Sequence, residues 1–311
     1  MLRKSLLVVC VSTGLLATDV GAQEAVPVFK SSVAVVPISA VVRDGRGRPV
    51  TTLKASDFEV RDNGERRPIL SFQKDETSPL TIAVLVDTSG SMRLESKLAA
   101  ARQVVTEMAA DLRDGIDAVG LFTFDAALHE LHTFTDHPSS LGTALADAEP
   151  FGVTSLYDAI AETARRLEAR PSVRRAIVVL TDGVDTSSAL PPSEVSARAS
   201  AIDVPVYVVA TVPKIDQVTY VERATSPNAR STADAHELAV WTGGDLLWAS
   251  SASDAAVAAR QILAELRHQY LIAIDSAADG EWRRLEVKTR NRRLTVRARS
   301  GYLGRDYRSG R

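Results

Sequence analysis

Two hydrophobic patterns divide the chain. Toward both ends, short stretches alternate apolar and charged residues, as a strand with one wetted face does: Phe58-Glu59-Val60-Arg61 early, and 282–288 and 294–299 late. Between them lie uninterrupted apolar runs at 81–86, 118–124, 176–180 and 204–210, rich in β-branched residues, as strands buried on both faces are. Helical patterns separate these runs. Leu94, Leu98, Ala101, Val105, Met108 and Leu112 share one face of a helix predicted over 94–113. Further helices are predicted at 139–148, 156–169, 191–202 (opened by Pro191-Pro192), 233–242 (stopped by Gly243-Gly244) and 253–268, with a short strand at 246–249 and an irregular stretch at 211–231.

Such alternation predicts an α/β fold: a doubly wound, mostly parallel sheet with helices on both faces. Its one antiparallel edge strand is the run at 127–133, read as the hairpin neighbour of 118–124. The ends read differently. A strand at 33–42 precedes the Asp44-Gly45 turn, and 69–72 is expected to return after the turn at 62–65. Strands at 270–275, 282–288 and 294–299 follow the last helix. We expect the two strand-rich ends to pair into one small discontinuous β module. The domain organisation expected is then 33–76 and 269–304 for that module, 79–268 for the α/β domain, and a tail at 305–311.

The first 22 residues read as a signal peptide: Arg3 and Lys4, then an apolar core from 6 to 16, then Val20-Gly21-Ala22 before a cut ahead of Gln23. Residues 23–32 read as a flexible lead-in. The apolar core is too short to span a bilayer comfortably, and no later run of about 20 apolar residues follows, so no membrane span is expected in the mature chain. The single cysteine, Cys10, lies inside the leader. Export without disulfides suits a secreted or periplasmic protein with a core large enough to need no staples. A net charge of −2 leaves no basic footprint for nucleic acid. The late arginines (283, 284, 290, 292, 293, 297 and 299) are read as a solvated strand face.

The chemistry gathers where buried runs end. The run at 81–86 leads into Asp87-Thr88-Ser89-Gly90-Ser91, a carboxylate and two hydroxyls at alternate positions at a strand's carboxyl end. That edge is where open α/β sheets bind ligands. These are hard oxygen donors without Cys or His, which suits Mg²⁺ or Ca²⁺ better than zinc or copper. Alone, Asp87 also fits a helix N-cap or turn acid. Gly152-Val153-Thr154 and Thr181-Asp182-Gly183 add two more loops. Asp185, Ser187, Asp125 and Asp136 read as turn or surface residues.

These three loops, in this order, resemble the von Willebrand factor type A domain and its metal-ion-dependent adhesion site over about 80–265. Valine stands at 153, where the family often has a second glycine. The flanks resemble, more loosely, a bacterial exported group related to this domain, through Asp57-Phe58-Glu59-Val60, Thr242-Gly243-Gly244, Leu266-Arg267 with Tyr270, and Arg299-Ser300-Gly301-Tyr302. The resemblance implies that Ser89 and Ser91 bind Mg²⁺ (or Ca²⁺ or Mn²⁺) directly, while Asp87, Asp182 and Thr154 act directly or through water. It implies a protein partner presenting an Asp or Glu to the metal, with adhesion or interaction as the task. With so few carboxylates, such a cation keeps an open, under-neutralised position. A scaffold whose metal only stabilises the loops is the alternative. A hydrolase is not expected, since Thr88-Ser89-Gly90-Ser91 is no nucleophile elbow and none of the five histidines has a motif around it.

Overall fold

The computed structural model describes residues 33–141, 144–146, 148–172, 174–183, 185–212, 230–277 and 279–304. The expected leader with Cys10, the lead-in, positions 213–229 of the irregular stretch and the tail lie outside them. In chain order the strands are β1 (Val33–Arg43), β2 (Phe58–Asp62), β3 (Glu65–Arg67), β4 (Ile69–Asp75), β5 (Leu80–Asp87), β6 (Ala118–Phe124) and β7 (Leu128–Thr135). Then come β8 (Arg174–Thr181), β9 (Val206–Ala210), β10 (Leu246–Trp248), β11 (Gln269–Ala277), β12 (Trp282–Thr289), β13 (Thr295–Arg297) and β14 (Gly301–Leu303). The α-helices are α1 (Glu95–Asp111), α2 (Leu156–Glu168), α3 (Pro192–Ala201), α4 (Arg230–Thr242) and α5 (Ala252–Arg267).

The α/β part is the expected doubly wound sheet. Its order is β10-β9-β8-β5-β6-β7, parallel throughout except for the β6–β7 pair. All eight residues of β5 are buried. Their alternation assigns two faces. Ile82, Val84 and Val86 pack with Leu98, Val105 and Met108 of α1 and with Ile262 and Leu266 of α5. Ala83 and Leu85 pack with Leu156 and Ile160 of α2, Val195 of α3 and Leu238 of α4. From β5 the chain winds one way through α1 to β6, and later returns through α2 to β8 on the other side of β5. The carboxyl ends of β5 and β8 therefore flank the point where the winding reverses, and a crevice opens there in such sheets.

The flanks form two four-stranded antiparallel sheets, β13-β1-β11-β4 and β14-β12-β2-β3, each mixing early and late strands. They share a core of Ile38, Phe58, Val60, Tyr270, Ile272, Leu285 and Tyr302. The Tyr270 hydroxyl donates to the Val50 carbonyl at 2.8 Å and accepts the Leu53 N–H at 3.1 Å, so its burial leaves no polar group bare.

Four local expectations need correction. The helix expected at 139–148 is a short 3₁₀ turn, Pro138–Leu141, followed by turns whose bonds run three residues back, Ala144 to Leu141 and Ala148 to Leu145. Arg102 of α1 takes the Leu145 and Ala146 carbonyls at 3.1 Å each. The Asp44-Gly45 turn closes on itself, with the Asp44 N–H on the Arg48 carbonyl at 3.0 Å and the Val50 N–H on the Val42 carbonyl at 2.9 Å, but launches no return strand. The chain bridges only Arg43 to Pro49, and β1 pairs instead with β11 and β13. The strand returning after the second turn is β3 rather than 69–72: Asn63 (φ 50°) and Gly64 (φ 85°) form the two-residue turn joining it to β2. Pro68, without an N–H, then ends that pairing, and β4 crosses to β11. Finally, the late arginines are not all solvated. Arg283 pairs with the buried Asp62 at 2.9 Å, Arg297 with Glu265 and Asp245, and Arg299 is buried against the Ser200 and Pro37 carbonyls. An alternating pattern marks which way a side chain points, but not whether another element covers it.

Candidate functional site

Three loops meet at the reversal point, two of them leaving buried strands and one leading into a helix. Loop 1 leaves β5 at Asp87 and passes through a 3₁₀ turn, Gly90–Arg93, into α1. Loop 2 runs into α2. Loop 3 leaves β8 at Thr181. Backbone bonds fasten loop 1 to loop 2: the Gly90 N–H donates to the Gly152 carbonyl at 3.0 Å and the Phe151 N–H to the Thr88 carbonyl at 2.7 Å.

Loop 3 supplies what the start of α2 lacks. A helix leaves its first N–H groups without internal acceptors. Here Asp185 Oδ1 accepts the Leu156 N–H at 2.8 Å, and Ser188 Oγ accepts those of Tyr157 and Asp158 at 3.0 and 3.2 Å. Asp158 answers by accepting the Ala189 and Leu190 N–H groups. The Thr154 carbonyl accepts the N–H groups of Thr186 and Ser187, and Thr186 Oγ1 accepts the Thr154 N–H at 2.9 Å. Asp185 and Ser187 are thus turn and capping residues, as their sequence context suggested.

Among the five candidate ligands, Asp87 is fully buried. Its Oδ1 accepts the Ser89 N–H at 2.8 Å and its Oδ2 the Thr181 hydroxyl at 2.6 Å. Burial pushes this carboxyl up to about 6; the Ser89 and Thr181 hydrogen bonds oppose the rise and the nearby Asp182 charge adds to it. The Ser89 and Ser91 hydroxyls lie 3.0 Å apart. Asp182 is 6% exposed, and its Oδ1 is buried without a hydrogen-bond partner among the described residues. Its Oδ2 accepts Lys97 Nζ at 2.8 Å, and the same ammonium donates to the Ser91 carbonyl at 3.1 Å. Thr154 is 3% exposed. Its hydroxyl makes no hydrogen bond to the other four among the described residues, and its loop reaches theirs through the backbone.

Sequence reasoning missed two members, Thr181 and Lys97. Thr181 sat beside Asp182 within a quoted motif, but nothing in the chain signals that its hydroxyl reaches across to β5. Lys97 reads as an ordinary helix-surface lysine, and only the packing of α1 beside loop 3 brings it in.

Around this polar floor stand exposed apolar side chains, Leu94, Phe151 and Val153, with Phe151 71% exposed. The Arg93 guanidinium sits 5.7 Å from the Phe151 ring centre. Among the described residues no histidine makes a hydrogen bond or ion pair with the five candidate ligands. His129 contacts Asp125, His137 contacts Asp114, and the ring nitrogens of His132 and His268 bond to the Thr133 and Ala264 carbonyls. Among the described residues no group of three or more His, Cys, Asp and Glu could hold a metal ion. No helix of the described residues is long and apolar enough to cross a membrane.

Comparison with known proteins places this region. Residues 82–184 match the model of the von Willebrand factor type A domain. Similar solved structures include an aerotolerance-related membrane protein from Bacteroides fragilis NCTC 9343, at 20% identity and a TM-score of 0.48, covering 60% of this chain and 98% of that one. BatB from Bacteroides thetaiotaomicron is similar at 18% identity and 0.47, covering 60% and 98%. A von Willebrand factor type A protein from Catenulispora acidiphila is similar at 12% identity and 0.49, covering 88% and 75%. No curated protein matches.

Proposed function

We propose, on the premise that residues 82–184 form a von Willebrand factor type A domain, that this chain is an exported protein-binding module that engages its partner through a divalent cation, Mg²⁺ or, in its place, Ca²⁺ or Mn²⁺. The observation carrying this reading is the donor set. A buried carboxylate oxygen of Asp182 has no hydrogen-bond partner among the described residues, in the same interlocked cluster of loops as two neutral hydroxyls held 3.0 Å apart. An unsatisfied buried acceptor is costly, and a hard cation is the group that would satisfy it. Ser89, Ser91 and Asp182 would hold the ion, with Asp87 and Thr154 acting directly or through water.

When bound, the ion supplies a Lewis-acidic position for a partner's Asp or Glu oxygen. The chain's own residues prepare it. Thr181 fixes Asp87, Asp87 fixes the Ser89 backbone, and the loop 1–loop 2 bonds fix the approach of Thr154. Holding most donors neutral leaves the cation's charge for the incoming acid. Leu94, Phe151 and Val153 then offer apolar contact beside that acid, so partner choice falls on them. Ser89 and Ser91 bond to each other rather than to a base, and Lys97 is engaged with a carboxylate, which favours binding over nucleophilic chemistry.

The test is capture of partners from an envelope extract in Mg²⁺, repeated in EDTA and with Asp87→Ala and Thr154→Ala. Capture should disappear in EDTA and in both variants, while circular dichroism and the melting temperature stay close to wild type. Capture that survives chelation and both substitutions contradicts the reading. Metal binding without metal-dependent capture would favour the loop-stabilising scaffold.

A further inference from the structure

Lys97 occupies a position that helix physics disfavours. It is the third residue of α1, where a positive charge opposes the helix dipole. Its side chain is only 13% exposed, and Asp182 opposite it is 7% exposed. The ammonium nevertheless bridges two loops, reaching Asp182 Oδ2 at 2.8 Å and the Ser91 carbonyl at 3.1 Å. It thereby brings a positive charge to Asp182, one of the two acids of the candidate site.

We infer that Lys97 is a built-in counter-ion to Asp182 that holds this carboxylate when no metal is bound and sets how tightly the site takes a divalent cation. The inference rests on the metal-site reading above and adds a residue whose role runs against metal affinity.

The argument is one of linkage. Without a metal the ammonium offsets Asp182 and ties loop 1 to loop 3. A cation that draws on Asp182 competes with Lys97 for the same carboxylate, and two positive centres side by side in a part-buried site repel. The flexible four-carbon stem can swing outward when the ion enters, but the ion pair is then lost. Each of these raises the dissociation constant for metal and stabilises the metal-free form. The site is thereby tuned to fill only where the cation is abundant.

Titration calorimetry with MgCl₂ and MnCl₂ on wild type, Lys97→Met and Lys97→Arg tests this, paired with thermal melts in EDTA. Met keeps the stem and suits a helix; Arg keeps the charge. Lys97→Met should bind the ions at least about tenfold more tightly, equivalent to ~1.4 kcal/mol, and melt lower in EDTA. Its melting temperature should rise more than that of wild type on adding metal. Lys97→Arg should stay near wild type. Equal or weaker affinity in Lys97→Met, with wild type binding metal, overturns the role of Lys97 and leaves the metal site standing. No binding by any of the three proteins, all folded by circular dichroism, overturns the metal site itself and this inference with it.

Discussion

Asp117 shows how a single carboxylate secures the frame beneath the site. It is fully buried at the amino end of β6, where Oδ1 accepts the Leu80 N–H at 2.9 Å and the Arg113 guanidinium at 2.7 Å, and Oδ2 accepts the Arg113 N–H at 2.9 Å. Burial alone would push its carboxyl up, but the bonds from Arg113 and Leu80 hold it down at about 2. A folded-state value below the ordinary one near 4 means stability that is present above pH ~4 and lost as pH falls toward ~2, worth about 2 kcal/mol. Asp117→Asn should therefore cost about that much at pH 7 in chemical denaturation. It should also flatten the fall in stability between pH 4 and 2 that wild type shows. At this scale the sequence revealed residue types better than contacts. The hydroxyls and acids of loops 1 to 3 were legible because their spacing is local. Lys97 and Thr181 were not, because their partners lie 85 and 94 residues away.

At the scale of elements, the buried strands and the main helices were legible from hydrophobic period, since burial on one or two faces writes itself into the chain. The pairing of the flanks was legible only in outline. Local turn cues suggested hairpins, whereas β1 is claimed by β11 and β13 from the other end of the chain, and non-local pairing leaves no local mark. β14, three residues long, has too short a pattern to read. The glycine pair ending α4 has a sharper meaning. A Cβ on Gly244 would lie 2.0 Å from the Val206 carbonyl oxygen at the start of β9, a backbone contact with no side chain to yield. Gly64 has a positive φ but nothing within 4 Å of a would-be Cβ. Gly244→Ala should thus cost more than about 3 kcal/mol or prevent accumulation of folded protein. Gly64→Ala should cost only about 1–2 kcal/mol, and thermal melts of the pair separate close packing from backbone strain.

For the whole molecule, the flanking strands and the α/β sheet are joined by ion pairs that sequence could not assign. Arg43 and Arg297 meet Glu265 at the end of α5 and Asp245 before β10; Arg299 meets Asp203; Arg174, fully buried, meets Asp75 and the Ser78 carbonyl. Breaking such a buried pair strands a charge, so these contacts fix one arrangement of the module on the sheet. They sit around the sheet and its amino-terminal edge, away from the carboxyl ends of β5 and β8. The claim on which the functional account turns is that this carboxyl edge takes one hard cation between loop 1 and loop 3. Anomalous diffraction from crystals grown with MnCl₂ tests it most directly. The account predicts a single manganese peak within ~2.6 Å of Ser89 Oγ and Ser91 Oγ, with Asp182 alongside and Lys97 turned away. Saturating manganese with no peak at this edge, or a peak elsewhere on the chain, would contradict it.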